Sequence, residues 1–182
     1  AGDDTLLGRG EFNGGKGNVY IGNVKDGSGG DIIHFNLGDG KDTIDSWDWY
    51  NEQDKIIFGA DVTADMISFR REENALVVVV GDQGDEMKFL YFFDSGEGWR
   101  HQTYTRFEFS DGTIWADFRS TILKHLGTDC DDVMKSTQWN DAYYGGAGND
   151  FIDDYGGYNY LNGGAGDDTL LGRGEFNGGK GN

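Results

Sequence analysis

A nine-residue glycine-rich repeat constrains this chain more than any other feature. Its form is G-G-x-G-x-D-x-U-x, where U is a large apolar residue, and two copies are complete, at 145–153 and 163–171. Degenerate copies in the same frame cover 127–135, 136–144 and 154–162. The apolar residue recurs every nine positions, at Met134, Tyr143, Ile152, Leu161 and Leu170. A flexible Gly/Asp linker would not keep this phase, so the pattern indicates repeated short strands joined by tight turns.

Further copies lie near the N-terminus, at 1–7, 14–22, 26–34 and 37–45. The aspartate position is filled in three of them, by Asp4, Asp31 and Asp42, and holds Val19 in the fourth. The six residues GRGEFN, which occur at 8–13 and again at 172–177, break the nine-residue spacing and predict a distorted turn.

The repeats resemble those of the RTX (repeats-in-toxin) family, with its haemolysin-type calcium-binding nonapeptides. The resemblance covers 1–45 and 127–182. The motifs HFNLGDGKDTI at 34–44, DKIIFG at 54–59 and FEFSDGTIW at 107–115 make the stretch between them similar to the haemolysin-type calcium-binding-related segment, which accompanies RTX repeats in large haemolysin-type and iron-regulated RTX proteins. This resemblance implies calcium binding, export by type I secretion with a signal outside this segment, and an extracellular location.

The repeat also has a direct physical interpretation. Each unit predicts a six-residue turn followed by a short strand whose U side chain points inward, and two units make one coil, with successive coils about 4.8 Å apart. The predicted fold is mostly β: a parallel β-roll interrupted by a small antiparallel β meander and one short helix. The expected domains are an N-terminal roll portion at 1–45, a capping segment at 46–126 and a C-terminal roll portion at 127–182.

Turns stacked at this spacing place carboxylate over carboxylate, which is repulsive unless a cation lies between them. Calcium takes six to eight oxygen ligands, and stacked turns can supply aspartates together with backbone carbonyls. We therefore expect several calcium ions. The predicted metal-site aspartates are Asp132, Asp150 and Asp168 in one ladder, Asp141 (with Asn159) in a second, and Asp4, Asp31 and Asp42 in the N-terminal half. The predicted carbonyl ligands belong to Gly145, Ala147, Gly163 and Ala165.

The second ladder has two open interpretations. Asn159 offers only a neutral oxygen, so this ladder either binds calcium more weakly or keeps the shape of the coil and binds nothing.

An 18-residue block at 1–18 recurs without change at 165–182, so the chain is one 164-residue unit plus the start of another. Either the parent is a tandem array, in which neighbouring repeat units are partners, or a boundary block was duplicated by construction. The roll that begins at Gly127 would then continue into residues equivalent to 19–45. We expect the two ends to pair poorly within the chain and to self-associate end to end.

The middle segment loses the glycine period and gains strand-like runs. These runs are Lys55–Phe58, Met66–Arg70, Ala75–Val80, Met87–Phe92 and Tyr104–Phe109. Turns are predicted at 72–74 and 81–84, and the spacing of Phe118, Ile122 and Leu126 predicts the short helix. The segment's large aromatics are expected in the core or cap, with Trp99, beside Arg100 and His101, the best candidate for a ligand contact; they are Trp47, Trp49, Phe92, Trp99 and Trp115.

Net charge excludes some partners. With 33 Asp and Glu against 15 Lys and Arg, the chain carries −18 at neutral pH, whereas nucleic acid and anionic membranes bind basic surfaces. No apolar run is long enough to insert into a bilayer.

Signals of catalysis are absent from the pattern. The glycine-rich run at 10–17 has Gly17 where a P-loop needs Ser or Thr, and the three histidines, His34, His101 and His125, have no zinc spacing. Cys130, five residues after His125, replaces a repeat glycine and is interpreted as a free thiol. We expect no enzyme but a calcium-binding module of a large secreted bacterial toxin or adhesin. The alternatives are an adhesin module that binds glycan or host protein through the middle segment, and a non-catalytic accessory module of a secreted RTX enzyme.

Overall fold

The computed structural model describes residues 2–22, 30–45, 54–93, 106–116, 122–135, 137 and 139–181. These residues are mostly β, with sixteen strands and one 3-10 turn at Ala64–Met66. The strands are β1 (Asp4–Leu7), β2 (Glu11–Asn13), β3 (Val19–Gly22), β4 (Ile32–Phe35), β5 (Lys41–Asp45), β6 (Lys55–Phe58), β7 (Ile67–Glu72), β8 (Ala75–Val80), β9 (Asp85–Phe89), β10 (Arg106–Glu108), β11 (Ile114–Trp115), β12 (Leu123–Leu126), β13 (Val133–Lys135), β14 (Asp141–Ala147), β15 (Phe151–Ala165) and β16 (Thr169–Asn177).

The chain divides into two compact units, 1–67 with 72–118, and 68–71 with 119–182. In the first unit, strands β1 to β6 alternate between two parallel sets, which β9 and β10 extend. One set runs β1, β3, β5, β9, and the other runs β2, β4, β6, β10. The apolar residues align in register, as Ile21 with Ile44 and Ile33 with Ile56 show, and all four side chains are buried.

The second unit repeats the alternation with a step of 18 residues. On one face Val133 pairs with Phe151 and Phe151 with Thr169, while on the other Ala142 pairs with Tyr160. The long strand β15 belongs to both faces. Its register against β16 shifts between Asp154 and Asn159, opposite the second GRGEFN, which lies within strand β16 and not in the distorted turn that the sequence predicts.

The core of the second unit confirms the nine-residue phase. Its buried cluster consists of Tyr143, Ile152 and Leu161, with the partly buried Met134 and Leu170 packed against it. These are the five U residues of consecutive repeats. Side chains nine positions apart therefore meet inside the unit, as the sequence predicts.

The expected antiparallel meander is only partly correct. The strand Ala75–Val80 and the turn at 81–84 are confirmed, since β8 pairs antiparallel with β9 and Val80 faces Asp85; β11 is likewise antiparallel to β10. However, β6, β9 and β10 join the parallel sets that begin with the N-terminal repeats. The middle segment therefore extends those sets rather than forming a separate sheet.

The predicted short helix is wrong where the structure describes it. Residues 123–126 form strand β12, in which Leu123 and His125 are buried and Lys124 and Leu126 are exposed. This two-residue alternation suits parallel pairing with β14, and the apolar spacing that suggested a helix places Ile122 and Leu126 on the exposed side. Residues 117–121 lie outside the described part of the chain.

Candidate functional site

The aspartates of the first ladder are joined by hydrogen bonds from the backbone N–H of one aspartate to the carboxylate of the next. The N–H of Asp132 donates to Oδ1 of Asp150 at 2.9 Å, and the N–H of Asp150 donates to Oδ1 of Asp168 at 2.9 Å. Each aspartate directly precedes a strand, so its Oδ1 can reach the equivalent backbone N–H one coil earlier. The structure thus brings together the three residues that the sequence assigned to this ladder.

The second oxygen of two of these carboxylates has no protein partner. Oδ2 of Asp150 and Oδ2 of Asp168 are both buried, and neither has a hydrogen bond within the described residues. A buried carboxylate oxygen without a partner is costly, because it has given up its water. A cation or a proton at these two positions would satisfy both oxygens.

Glycine makes room beside each of these oxygens. A Cβ added to Gly145 would lie 2.2 Å from Oδ2 of Asp150 and 2.3 Å from the carbonyl oxygen of Gly163. A Cβ on Gly163 would lie 2.2 Å from Oδ2 of Asp168. A carboxylate oxygen and a main-chain carbonyl oxygen thus lie on the same side of Gly145, and both are hard oxygen ligands of the kind that calcium prefers. The donor set fits calcium.

Two of the remaining predicted ligands, Asp132 and the carbonyl of Ala165, already accept hydrogen bonds within the protein. Oδ2 of Asp132 already accepts the N–H of Thr128 at 2.6 Å and its hydroxyl at 2.9 Å. Ala147 and Ala165 lie side by side on neighbouring coils, and the carbonyl of Ala165 accepts the N–H of Gly148 at 2.9 Å. In this ladder, the carboxylate oxygens without a protein partner therefore belong to Asp150 and Asp168.

The electrostatics of the first ladder favour a positive charge at this position. Burial raises the pKa of the Asp150 carboxyl above its ordinary value, although the hydrogen bond from the N–H of Asp132 acts in the opposite direction. The negative charges of Asp168 and Asp132 raise that pKa further. A cation bound here would offset both the cost of burying the Asp150 carboxylate and the repulsion between the neighbouring negative charges.

The second ladder has the same backbone contact, but its carboxylate oxygens have side-chain partners. The N–H of Asp141 donates to Oδ1 of Asn159 at 2.8 Å. His125 Nε2 lies 3.3 Å from Oδ1 of Asp141, and the hydroxyl of Thr137 donates to Oδ2 of Asp141. Nδ2 of Asn159 donates to the carbonyl of Gly156 at 2.6 Å. Side chains of the protein itself thus occupy the oxygens that a metal would need.

Asp154 is a buried carboxyl beside this second ladder that the sequence did not single out. Its side chain is fully buried, its Oδ1 accepts the N–H of Gly156 at 2.8 Å, and its Oδ2 has no hydrogen bond among the described residues. Burial raises the pKa of Asp154 to about 6. Asp154 occupies the first glycine position of the degenerate repeat at 154–162, so the repeat pattern gave no reason to expect an acid there.

In the N-terminal half, the predicted aspartates do not form one ladder. Oδ1 of Asp31 accepts the N–H of Gly10 at 2.7 Å, and Oδ1 of Asp42 accepts the N–H of Val19 at 3.0 Å. Asp4 is exposed and pairs with Val19 through the backbone. Asp31 and Asp42 thus repeat the aspartate-to-backbone contact in different strand sets, and Val19 interrupts the acid series as the sequence predicts.

Two carboxylates of the first unit that make the same kind of contact were missed. Oδ1 of Asp54 accepts the N–H of Asp31 at 2.9 Å, and the two oxygens of Asp85 accept the N–H groups of Gly38 and Gly40 at 2.8 and 2.9 Å. Both aspartates are buried. The D-x-U half of the repeat continues at Asp54-Lys55-Ile56 and Asp85-Glu86-Met87 without its glycines, and this shorter signal could have found them.

Two of the other sequence candidates, Cys130 and His34, lie among the described residues. Cys130 is an exposed free thiol, and His34 pairs with Glu11 at 2.6 Å. Across the described ranges, no three His, Cys, Asp or Glu side chains are grouped to hold a metal by themselves, so a cation here would also need main-chain carbonyls. The same ranges contain no helix long and apolar enough to cross a membrane.

Two of the five large aromatics that the sequence places in the core or cap, Phe92 and Trp115, lie among the described residues. Phe92 is buried and Trp115 is partly buried against Phe109, with ring centroids 5.2 Å apart, which agrees with a core role. Trp47, Trp49, Trp99, Arg100 and His101 lie outside the described residues.

Two comparisons with known proteins identify no family for this chain. Neither a family model nor a curated protein matches the chain.

Proposed function

We propose that this chain is a calcium-binding RTX repeat module that folds as a parallel β-roll when calcium binds. Its parent would be a large secreted bacterial protein of toxin or adhesin type. The observation that carries the proposal is the pair of buried, unpartnered oxygens on Asp150 and Asp168, each beside a repeat glycine.

The two oxygens of each repeat aspartate have separate roles in this proposal. Oδ1 holds the preceding coil through a backbone N–H, and Oδ2 remains for the metal. Asp150 and the carbonyl of Gly163 would hold a calcium ion beside Gly145, and Asp168 would hold another beside Gly163. Calcium would supply the positive charge that balances these stacked turns.

Calcium would then act as a folding switch. With a net charge of −18, the metal-free chain is disfavoured in any compact state by self-repulsion. Because the site does not exist in the unfolded chain, the free energy of metal binding becomes free energy of folding. Extracellular calcium modules have dissociation constants of about 10⁻⁴–10⁻³ M, so folding would follow export. This supports a secreted location, with neighbouring repeat units of the parent as structural partners.

The proposal can be tested with a matched pair of substitutions. Asp150→Asn keeps an Oδ1 acceptor, as Asn159 does in the second ladder, but replaces the free Oδ2 with an amide. Asp141→Asn makes the same change where both oxygens already have protein partners. In calcium titrations by isothermal calorimetry, with magnesium as a control, we expect Asp150→Asn to weaken binding at least tenfold more than Asp141→Asn does. Equal effects, or no calcium binding by the unaltered protein, would contradict the proposal.

A further inference from the structure

Three tyrosines lie on the outer face of the second unit, where β14 and β15 run side by side. Side chains of a strand alternate between its two faces. Tyr143 of β14 and Leu161 of β15 belong to the buried cluster, so the positions that alternate with them point away from the core. These outward positions hold six uncharged residues, which we call the tyrosine face: Asn140, Ala142, Tyr144, Tyr158, Tyr160 and Asn162.

Pairing of the two strands holds the tyrosine face in a fixed arrangement. Ala142 pairs with Tyr160, and Tyr144 pairs with Asn162. The rings of Tyr144 and Tyr160 lie diagonally across the strands, with centroids 5.7 Å apart and planes inclined at 51°. Nδ2 of Asn162 donates to the hydroxyl of Tyr160 at 3.5 Å. Because both rings are half-buried and border each other, this surface is ordered before a ligand arrives.

The repeat pattern does not require tyrosine at these positions. The degenerate copy at 154–162 carries Tyr155, Tyr158 and Tyr160 within nine residues. The pairing of β15 with β16 passes directly from Asp154 to Asn159, which leaves Tyr158 65% exposed, and its N–H donates to Oδ1 of Asn140 at 2.8 Å. A single exposed aromatic side chain is ordinary, whereas a contiguous group of them indicates a binding surface.

The tyrosine face is uncharged in a strongly acidic chain. None of its six residues ionises at neutral pH, although the whole chain carries −18. The bases of nucleic acids also stack on aromatic rings, but such a chain repels their phosphates, and it repels acidic sugars for the same reason. Nζ of Lys124 lies 5.8 Å from the centroid of the Tyr144 ring and places a positive charge at the edge, which disfavours a cationic ligand. Charge complementarity therefore favours an uncharged ligand.

The combination of phenol rings and amides fits a neutral sugar. The core of a protein interface is rich in apolar side chains, whereas here every ring carries a hydroxyl and amides lie beside the rings. A sugar ring presents C–H groups on its face, which pack on an aromatic ring, and hydroxyl groups at its edge, which bond to amides and phenol hydroxyls. Tyr158 and Tyr160 are two positions apart on one strand, so both rings are available to successive sugars of one chain.

We propose that the tyrosine face binds a neutral oligosaccharide whose sugar rings stack on Tyr158 and Tyr160. The side-chain amides of Asn140 and Asn162 would donate to its hydroxyl groups. This site goes beyond calcium binding, and it lies in the second unit rather than in the middle segment of the chain. It requires that β14 and β15 are paired, whichever ion stabilises the coils.

Glycan binding by the full chain tests this site. An array of neutral and acidic glycans, probed in about 10 mM calcium, identifies the ligand, and isothermal calorimetry with the strongest neutral oligosaccharide gives its association constant. We expect neutral glycans to bind and sialylated or sulfated glycans not to bind. Tyr158→Ala removes one stacking ring from an exposed position and should lower the association constant about tenfold. Tyr160→Phe keeps the ring and should retain most of the affinity.

Phe151→Ala is the matched control, because Phe151 is an aromatic residue of the same strand, 39% exposed, that pairs with Val133 and Thr169 on the other face. It should leave glycan affinity unchanged, and far-UV circular dichroism checks that each variant folds. The proposal is wrong if the folded, unaltered protein binds no neutral glycan, or if Tyr158→Ala and Phe151→Ala lower the affinity equally. It is also wrong if Tyr158→Ala instead weakens self-association in sedimentation velocity, because the face would then bind a second copy of the chain. Glycan binding that persists in chelator would support this site and contradict the calcium proposal, so the two can fail separately.

Discussion

The two aspartate ladders of the second unit share one backbone contact and differ in what neutralises their carboxylates. In the first ladder, Oδ2 of Asp150 and Asp168 is buried without a partner. In the second, His125 and Thr137 contact both oxygens of Asp141. The comparison teaches that the backbone contact between coils requires only Oδ1, so the same repeat geometry leaves Oδ2 without a partner in one ladder and lets side chains hold both oxygens of Asp141 in the other.

The largest expected effect comes from filling the space that distinguishes the first ladder. Gly145→Ala would place a methyl group 2.2 Å from Oδ2 of Asp150, at a backbone conformation that alanine can adopt. We expect the free energy of unfolding in calcium to fall by about 3 kcal/mol, measured by urea denaturation. Gly178→Ala is the matched control, because its added Cβ meets nothing within 4 Å. Comparable losses in both variants would show that the space beside Asp150 has no special role.

An intermediate effect is expected when the second ladder loses its own partner. His125 is buried, stacks on Tyr143 with ring centroids 4.3 Å apart, and contacts Asp141. His125→Leu should cost about 2 kcal/mol of unfolding free energy, because it leaves a buried carboxylate oxygen unpaired. This loss should be the same at two saturating calcium concentrations, whereas the loss caused by Asp150→Asn should grow with calcium. A calcium-dependent loss in His125→Leu would make the two ladders equivalent.

The smallest expected effect is that acid partly replaces calcium. Burial raises the pKa of both Asp42 and Asp154 to about 6, above the value near 4 of an unfolded aspartate. A raised pKa stabilises the folded state below the unfolded value, and that stabilisation is lost as the pH rises through about 6. In chelator, the β signal in circular dichroism should therefore increase from pH 7 towards pH 4, with a contribution of the order of 1 kcal/mol per carboxyl group. The increase should be smaller in Asp42→Asn, and a flat profile would show that these carboxyls do not limit folding.

The glycine period predicted the second unit well because its signal is local. Residues nine apart had to point the same way, and Met134, Tyr143, Ile152, Leu161 and Leu170 do meet in one cluster. The contact from Asp132 to Asp150 followed from the same 18-residue step. A repeat fixes both the pairing partner and its register, so neither depended on distant parts of the chain.

The middle of the chain was harder because strand partners there are chosen by tertiary packing. Lys55–Phe58 was recognisable as a strand, but its parallel pairing with β4 was not, since the glycine turns that mark the repeat are missing. Extending the D-x-U pattern alone to Asp54 and Asp85 would have indicated that the coils continue there. The side-chain partner of Asp141 could not be predicted for a different reason. His125 lies 16 residues away in the sequence and outside the nonapeptide frame.

The central claim is that calcium supplies the charge that lets these coils form, and a far-UV circular dichroism titration tests it most directly. The protein would be taken from chelator to about 10 mM calcium, above the dissociation constants of extracellular calcium modules, with magnesium in parallel. The account predicts a cooperative gain of β signal with calcium and none with magnesium. A full β signal in chelator at neutral pH would contradict it, because the Oδ1 hydrogen bonds would then be enough to stabilise the coils without calcium.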